Sequence, residues 1–519
     1  MSADRVFDAP KGLAATIIDW GLVLMTIGLA ALALAAFLTP TYDWDVDHEI
    51  YFAQRLLQGE WLWMREFHDK LPAIQLVFLV PAWLSSVTVW RLMSLTAVLG
   101  AALVMTRLLP QFIGLDRLGS LARRRILWFG GLVWTAWMFG SAGGITVVNP
   151  MVASLQLISL LLILHLAVHP EIRGIRWLAL ALVAGLAGAL AISVRPYVVG
   201  QSVLVVLLGV AWRGGWVRGG SPAPSSLPRT ILDGLAWTLI FLFWGSVLNV
   251  LPYALSGQMA LFREGMAMLA GELNPNSAVR GFIDSLRRSD TLGFFVTFAL
   301  LILATLASLP RLDTRVRMVA LVLICGTAST LAMFLTKHYW PHYNSLLVGA
   351  HVVLALVLLA HAAQSGSRLS TAIALGISAL VAIPPFALAG ARAALLLSPA
   401  DTETAAIVAF MSTGQAGGHD FLAVSDMKSH WLLQQSRHGF PHAANTKHIH
   451  NGWWGKAPEV TQIFAPRTGE AYCARLLSAG PEYVFDRRDG FVVDCLTSAA
   501  SPYSLDSTLV GTEIVAFRR

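Results

Sequence analysis

The feature that most limits what this chain can fold into is a succession of apolar runs separated by short polar punctuation. A helical membrane span needs roughly 20 consecutive apolar residues. Twelve candidate runs lie near residues 14–39, 72–87, 88–109, 126–142, 150–168, 177–194, 197–212, 230–251, 291–309, 316–335, 343–362 and 370–397. With 56% hydrophobic and only 13% charged residues among 519, one soluble core could not hide so much apolar surface, so the expected class is an all-α polytopic membrane protein. The first run, "GLAATIIDWGLVLMTIGLAALALAAFL", is followed by no A-x-A cleavage site and is expected to be a retained helix.

The net charge of +7 does not point to nucleic acid, because the arginines are dispersed in short loops between apolar runs. They orient the chain instead. If all twelve runs cross, Arg117, Arg123, Arg124 and Arg125 fall outside, as do Arg173, Arg176, Arg213, Arg218, Arg311, Arg315 and Arg317, against the positive-inside rule. If "LPAIQLVFLVPAWLSS" lies along the interface, every one of these loops becomes cytoplasmic. Pro72, Pro81 and a length below the roughly 17–25 residues of a span favour that arrangement. The expectation is about 11 transmembrane helices, a cytoplasmic N-terminus, and an outer face built from residues 40–87, 143–149, 252–290, 336–342 and 398–519.

Two domains follow, a transmembrane domain over residues 1–397 and an extracytoplasmic α/β domain over 398–519. In the second, "DFLAVSD", "PEYVFD", "FVVD" and "TEIVAFRR" read as strands and "TETAAIVAFMST" as a helix. Cys473 and Cys495 can bridge there if their Cα atoms come within roughly 7 Å; Cys325, in an apolar run, reads as inert packing.

The outer loop of 40–87 holds the densest chemistry. "DHEIYFAQRLLQG" has helical spacing, with Asp47, Tyr51 and Arg55 on one face, Ile50, Phe52, Leu56 and Leu57 on an apolar side, and Gly59 as a stop. A solvated charged loop is the ordinary reading of such a stretch, but two helix-like pieces, an Asp45-x-Asp47 entry and "FHDKLP" opening the second piece favour an interfacial site. A second long outer loop, 252–290, carries a helix-like stretch at "MALFREGMAML" that reads as another interfacial segment.

The pattern of Asp47, Tyr51, "RLLQGE" and "FHDKLP" resembles the first outer loop of the GT-C glycosyltransferases, in the polyprenyl-phosphate-sugar-dependent branch that includes protein mannosyltransferases and the aminoarabinose transferase of lipid A. "KHYWPHYN" at the opening of a late helix and the soluble C-terminal domain are also similar. The chain departs from the family pattern D-E-x-x-Y by carrying His48 after the first Asp, with Glu49 one place later, and from F-x-D-K-P-P by reading "KLPA".

The resemblance implies a bacterial inner-membrane enzyme with an outer-face active site, transferring a sugar from a polyprenyl-phosphate donor to a glycan, lipid or protein acceptor. Such a transfer needs a carboxylate to deprotonate the acceptor and cations to hold the departing phosphate. Asp47 is the expected base, with Asp45 as competitor, and Lys70 the expected phosphate ligand; interfacial snorkelling is the structural alternative for Lys70. Tyr51, Arg91 and Arg195 join the expected binding residues, together with Lys337, His338, Tyr339 and His342, although an aromatic belt at the interface would look similar. Asn149, where the family often has an Asp, can hydrogen-bond a sugar hydroxyl or cap its helix.

No cofactor or metal is expected. Asp45-x-Asp47 leaves Mg²⁺ or Mn²⁺ as the alternative, and the His spacing of the tail does not match a zinc pattern. No phosphate-cradling glycine loop is present, which disfavours an ATP-driven pump. A secondary transporter or flippase would place charges near the midplane and often repeat its halves, whereas here they gather at one interface. A polymerase or ligase using a lipid-linked donor is the other alternative.

Overall fold

The computed structural model describes residues 13–38, 44–63, 70–84, 86–140, 147–215, 227–271, 275–336, 339–365 and 368–396, and, in the C-terminal part, 406, 409–410, 421–423, 473–474, 476–478, 480, 482–488 and 493–519. The chain is a multi-pass membrane protein. Nine helices among the described residues are long and apolar enough to cross a bilayer, and Leu13–Leu38 and Ser120–Gly140 extend the set of long helices to eleven. Ser120–Gly140 carries Arg123, Arg124 and Arg125 in its first two turns, which marks an interface end. The run at 72–87 forms no long helix: it breaks into Ala73–Val77 and Leu79–Trp83, with Pro72 before the first and Pro81 inside the second, and Phe78 between them leaves the helical region. Two five-residue helices, each about 7.5 Å long at 1.5 Å per residue, cannot cross a bilayer singly.

The chain separates into two compact units. One comprises residues 1–36, 91–247 and 274–395; the other 37–90, 248–273 and 396–519. The loop after the first helix and residues 248–273 thus group with the C-terminal residues.

The first unit is a helix bundle. Small residues let its helices approach: a Cβ on Gly185 would stand 2.3 Å from Ile240, and one on Gly188 2.7 Å from Ser159. Without a hydrophobic drive between helices in lipid, such close approach and buried hydrogen bonds supply the association. Ser159 donates to the Ala184 carbonyl at 2.8 Å and Gln156 to Ser202 at 3.0 Å. At one end of the bundle, Arg117 pairs with Asp313 at 2.6 Å, and Gln364 donates to the Gly114 carbonyl at 2.7 Å. His169 meets Gln111 at 2.7 Å. The loops near 109–119, 169–173 and 309–313 therefore share one end, as the arginine distribution predicts. Cys325 is exposed on its helix, so it is not packed inward as expected.

In the second unit, the outer-loop helix is Trp44–Leu57. It buries Val46, Glu49, Ile50, Phe52 and Ala53, while Leu57 is exposed rather than part of the apolar side. Gly59, at φ +86°, takes the left-handed turn that ends it, and the Glu60 amide reaches back to the Arg55 carbonyl at 2.9 Å. The expected helix at "MALFREGMAML" is Met259–Gly271.

The C-terminal residues form a four-stranded sheet of order β1-β2-β4-β3, with β1 (Phe421–Ala423), β2 (Tyr483–Arg487), β3 (Ser504–Thr508) and β4 (Ile514–Arg518). β1 and β2 are parallel; β4 is antiparallel to both β2 and β3. Three expected strands are present; of "FVVD", Val493 and Asp494 are helical, and Phe491 and Val492 lie outside the described residues. Val493–Leu496 is a helical turn whose Cys495 bridges Cys473, with 5.9 Å between Cα atoms. The strand that completes the sheet edge, β3, is polar and mostly exposed, so it carries no apolar signal. Of the expected helix at 402–413, Ala406, Ala409 and Phe410 are helical, and the rest lies outside the described residues. Phe410 packs on Tyr483 and Phe485.

Candidate functional site

Each unit holds one group of expected site residues. In the outer-loop unit, helix Trp44–Leu57 carries Asp45, Asp47 and Tyr51 on its backbone; their side chains lie outside the described residues. One further residue of this helix, Glu49, four positions after Asp45, is described in full. Glu49 is fully buried, and its carboxylate meets the buried Lys70 ammonium at 2.8 Å. Removing two ions from water costs several kcal/mol each, which only close geometry offsets. Lys70 is therefore held in place by protein and does not snorkel to an interface. Glu49 was not singled out from the sequence, because the pair spans 21 positions of chain with no periodic relation.

Three polar side chains tie this region together. The buried Gln75 donates to the Phe52 carbonyl at 2.8 Å and accepts from the Leu62 amide at 2.8 Å, fastening the end of one helix to the turn after it. Asn249 accepts from the Ala73 amide at 3.0 Å and so satisfies the start of Ala73–Val77. It sits in a π-helical turn, Ser246–Val250, a geometry common at functional sites. Tyr253 donates to the Leu62 carbonyl at 2.6 Å. Trp63 adopts φ +70°, a left-handed conformation costing a bulky residue about 1–3 kcal/mol. Its buried ring packs against Tyr253 and Phe262, and a Cβ on Gly265 would stand 2.1 Å from it. The turn leading toward "FHDKLP" is thus fixed by packing as well as hydrogen bonds.

In the bundle unit, Asn149 opens helix Asn149–Val168, but it does not cap it: the N-cap is Val148, without a side-chain bond. The fully buried amide joins two other segments instead, accepting from Arg195 Nε at 2.8 Å and donating to the His342 carbonyl at 3.0 Å. Arg195 ends helix Gly174–Val194 in an extended conformation that turns its side chain off the helix axis. Its guanidinium, also buried, lies 5.2 Å from the centroid of Tyr343, a cation–π contact. The His342 ring meets Tyr343 edge-on at 4.8 Å. Tyr339 is buried, its hydroxyl donates to Asn344 Oδ1 at 2.5 Å, and burial pushes its phenol well above the ordinary tyrosine range. Tyr197, which packs on Tyr343 at 5.1 Å, was missed by sequence reading, where an isolated Tyr gives no signal.

The structure therefore gathers Asn149, Arg195, Tyr339 and His342 around Tyr343. Arg91, buried in the first turns of Val87–Leu108, belongs to the same unit. Lys337 and His338 lie outside the described residues. Among the described residues no cluster of three metal-ligating side chains occurs, and the Asp45 and Asp47 carboxylates fall outside that set.

No protein-family model matches the sequence, and no curated protein matches it by sequence comparison. Solved structures do match in shape. The structure is similar to that of ArnT from Cupriavidus metallidurans bound to undecaprenyl phosphate, with a TM-score of 0.55 at 12% identity over 96% of this chain and 98% of that one. A weaker likeness, TM-score 0.46 at 12% identity, covers 89% of this chain and 68% of the Archaeoglobus fulgidus oligosaccharyltransferase in complex with Zn and sulfate. A likeness spanning almost the whole of both chains, in a helix bundle with a small C-terminal sheet, gives the fold: this chain shares the fold of ArnT.

Proposed function

We propose that this protein is an integral-membrane glycosyltransferase that moves a sugar from a polyprenyl-phosphate carrier to an acceptor on the outer face of the bacterial inner membrane. The observation that carries the reading is the buried Lys70, paired with Glu49 beside the helix that bears Asp47, in a chain whose fold matches ArnT bound to undecaprenyl phosphate. A fold alone does not assign chemistry, so the roles come from the residues.

In this reading the acceptor hydroxyl attacks the anomeric carbon while the Asp47 carboxylate takes its proton. The carbon–oxygen bond to the phosphate breaks, and its electron pair leaves with the polyprenyl phosphate. Charge grows on that phosphate as the bond opens, and the fixed Lys70 ammonium stabilises it there. An ammonium has three N–H donors, so the pairing with Glu49 is compatible with a phosphate contact. Asp45 supports Asp47, and Tyr51, one turn further along the helix, contacts substrate. In the bundle unit, Arg91 and the Asn149–Arg195–His342 group, with Tyr339, are a separate set of candidate binding residues, as are Lys337 and His338 by sequence. The mechanism requires no metal.

The test is transfer by the purified chain from a labelled polyprenyl-phosphate sugar into a mixed acceptor fraction of glycan, lipid A and membrane protein. Label in one acceptor class, dependent on the enzyme, is the expected result. Release of no label from a panel of such donors, with the protein folded, contradicts the proposal.

A further inference from the structure

The basic end of the bundle contains a second feature, which the proposed transfer does not use. A pocket of about 560 Å³ opens between the end of helix Val87–Leu108 and the start of Ser120–Gly140. Arg107, Arg123, Arg124, Ser120 and Trp128 line it. The arginines of this end divide into two kinds. Arg117 pairs with Asp313 at 2.6 Å, and Arg125 makes a two-pronged bond to Asp19 at 2.7 and 2.8 Å. The three that line the pocket have, among the described residues, no hydrogen bond or ion pair from their guanidiniums, and no carboxylate lines the cavity.

The surroundings specify what could neutralise them. Leu99, Leu103 and Arg107 recur at four-residue intervals, and the two leucines are exposed. Arg124 and Trp128 repeat that spacing on the other helix, with Trp128 also exposed. The apolar stripe that faces lipid on one helix thus runs into the basic pocket, and an indole stands at its mouth, where aromatic rings mark the headgroup level. A ligand matching both parts carries an anionic phosphate at the end of long hydrocarbon chains.

We propose that this pocket is a binding site for the phosphate of an anionic phospholipid, whose acyl chains lie along Leu99 and Leu103. Under the proposed orientation the lipid belongs to the cytoplasmic leaflet; the site itself does not depend on that orientation. It shares no residue with the transfer chemistry, so either proposal can fail without the other.

Native mass spectrometry of the full chain, titrated in detergent with phosphatidylglycerol or with phosphatidylcholine, tests it. Retention of phosphatidylglycerol over phosphatidylcholine is expected. Each arginine replaced by Gln weakens it by about fivefold, the factor matching roughly 1 kcal/mol per basic residue near a membrane surface. The R107Q/R123Q/R124Q chain then loses on the order of 100-fold, and the single variants carry the test if the triple variant does not fold. Equal retention of the two lipids overturns the proposal, as does an unaffected set of variants. An equal loss in R173Q/R176Q, which removes exposed arginines outside the pocket, would reduce the effect to net charge. Saturation by inorganic phosphate alone, without lipid, would assign the pocket to a soluble anion and overturn the lipid assignment.

Discussion

The Lys70–Glu49 pair yields the most quantitative prediction. Its charges are 2.8 Å apart, with side chains 7% and 0% exposed. At an effective dielectric of about 20 their attraction is roughly 6 kcal/mol, which is close to the several kcal/mol needed to desolvate each ion. The intact pair is thus near break-even, whereas removing one partner strands the other charge. Lys70→Met and Glu49→Leu should each destabilise the protein by about 3–5 kcal/mol, and the double substitution should recover most of that loss. SDS unfolding in mixed micelles, arranged as a double-mutant cycle, measures the coupling directly. The double variant then isolates function from folding. Losing one charge-assisted bond to phosphate, worth about 1.5–3 kcal/mol, should raise the donor KM about 10- to 100-fold in a folded protein. If Lys70→Met is as stable as the parent, the pair is not buried as described. If the folded double variant binds donor normally, Lys70 does not hold the phosphate.

Gly265→Ala should cost about 1–3 kcal/mol by overpacking, because the new Cβ would stand 2.1 Å from the Trp63 ring; Gly28→Ala, with nothing within 4 Å, should be neutral in the same unfolding assay. Asn149→Ala removes the acceptor of Arg195 and the donor to His342 and should destabilise by about 2–4 kcal/mol. Asn149→Asp keeps a partner for Arg195 but sets a carboxylate against the His342 carbonyl, so its cost should fall between parent and Ala. Burial pushes the Tyr503 phenol up to about 12; a raised folded value stabilises fully below the ordinary 10 and is lost as pH rises through 12. A difference absorbance titration of parent against Tyr503→Phe should show ionisation near 12; ionisation near 10 would contradict it.

The parts of the fold visible in sequence were those with a repeating local signal. Apolar runs located the long helices, Pro72 and Pro81 marked the segment that does not form one, and Gly59 ended the outer-loop helix where expected. What stayed hidden depends on residues distant in the chain. Glu49 finds Lys70 across a turn, Asn249 meets Ala73 from 176 positions away, and Asn149 is claimed by Arg195 and His342 instead of its own helix. Val493 and Asp494 misled because the β-branched run around them suits a strand, while they open the helical turn that carries Cys495 of the disulfide. β3 was hidden because an exposed polar strand owes its conformation to pairing with β4. The outer-loop helix and the residue types it carries were legible, but the buried partnerships around it were not.

The most direct test of the central claim is the transfer rate of Asp47→Asn from a labelled polyprenyl-phosphate sugar, compared with Asp45→Asn in folded, membrane-inserted protein. Loss of a general base should slow Asp47→Asn by about 10²- to 10⁴-fold with donor binding retained, and Asp45→Asn should be slowed less. Parental turnover in Asp47→Asn would contradict the account.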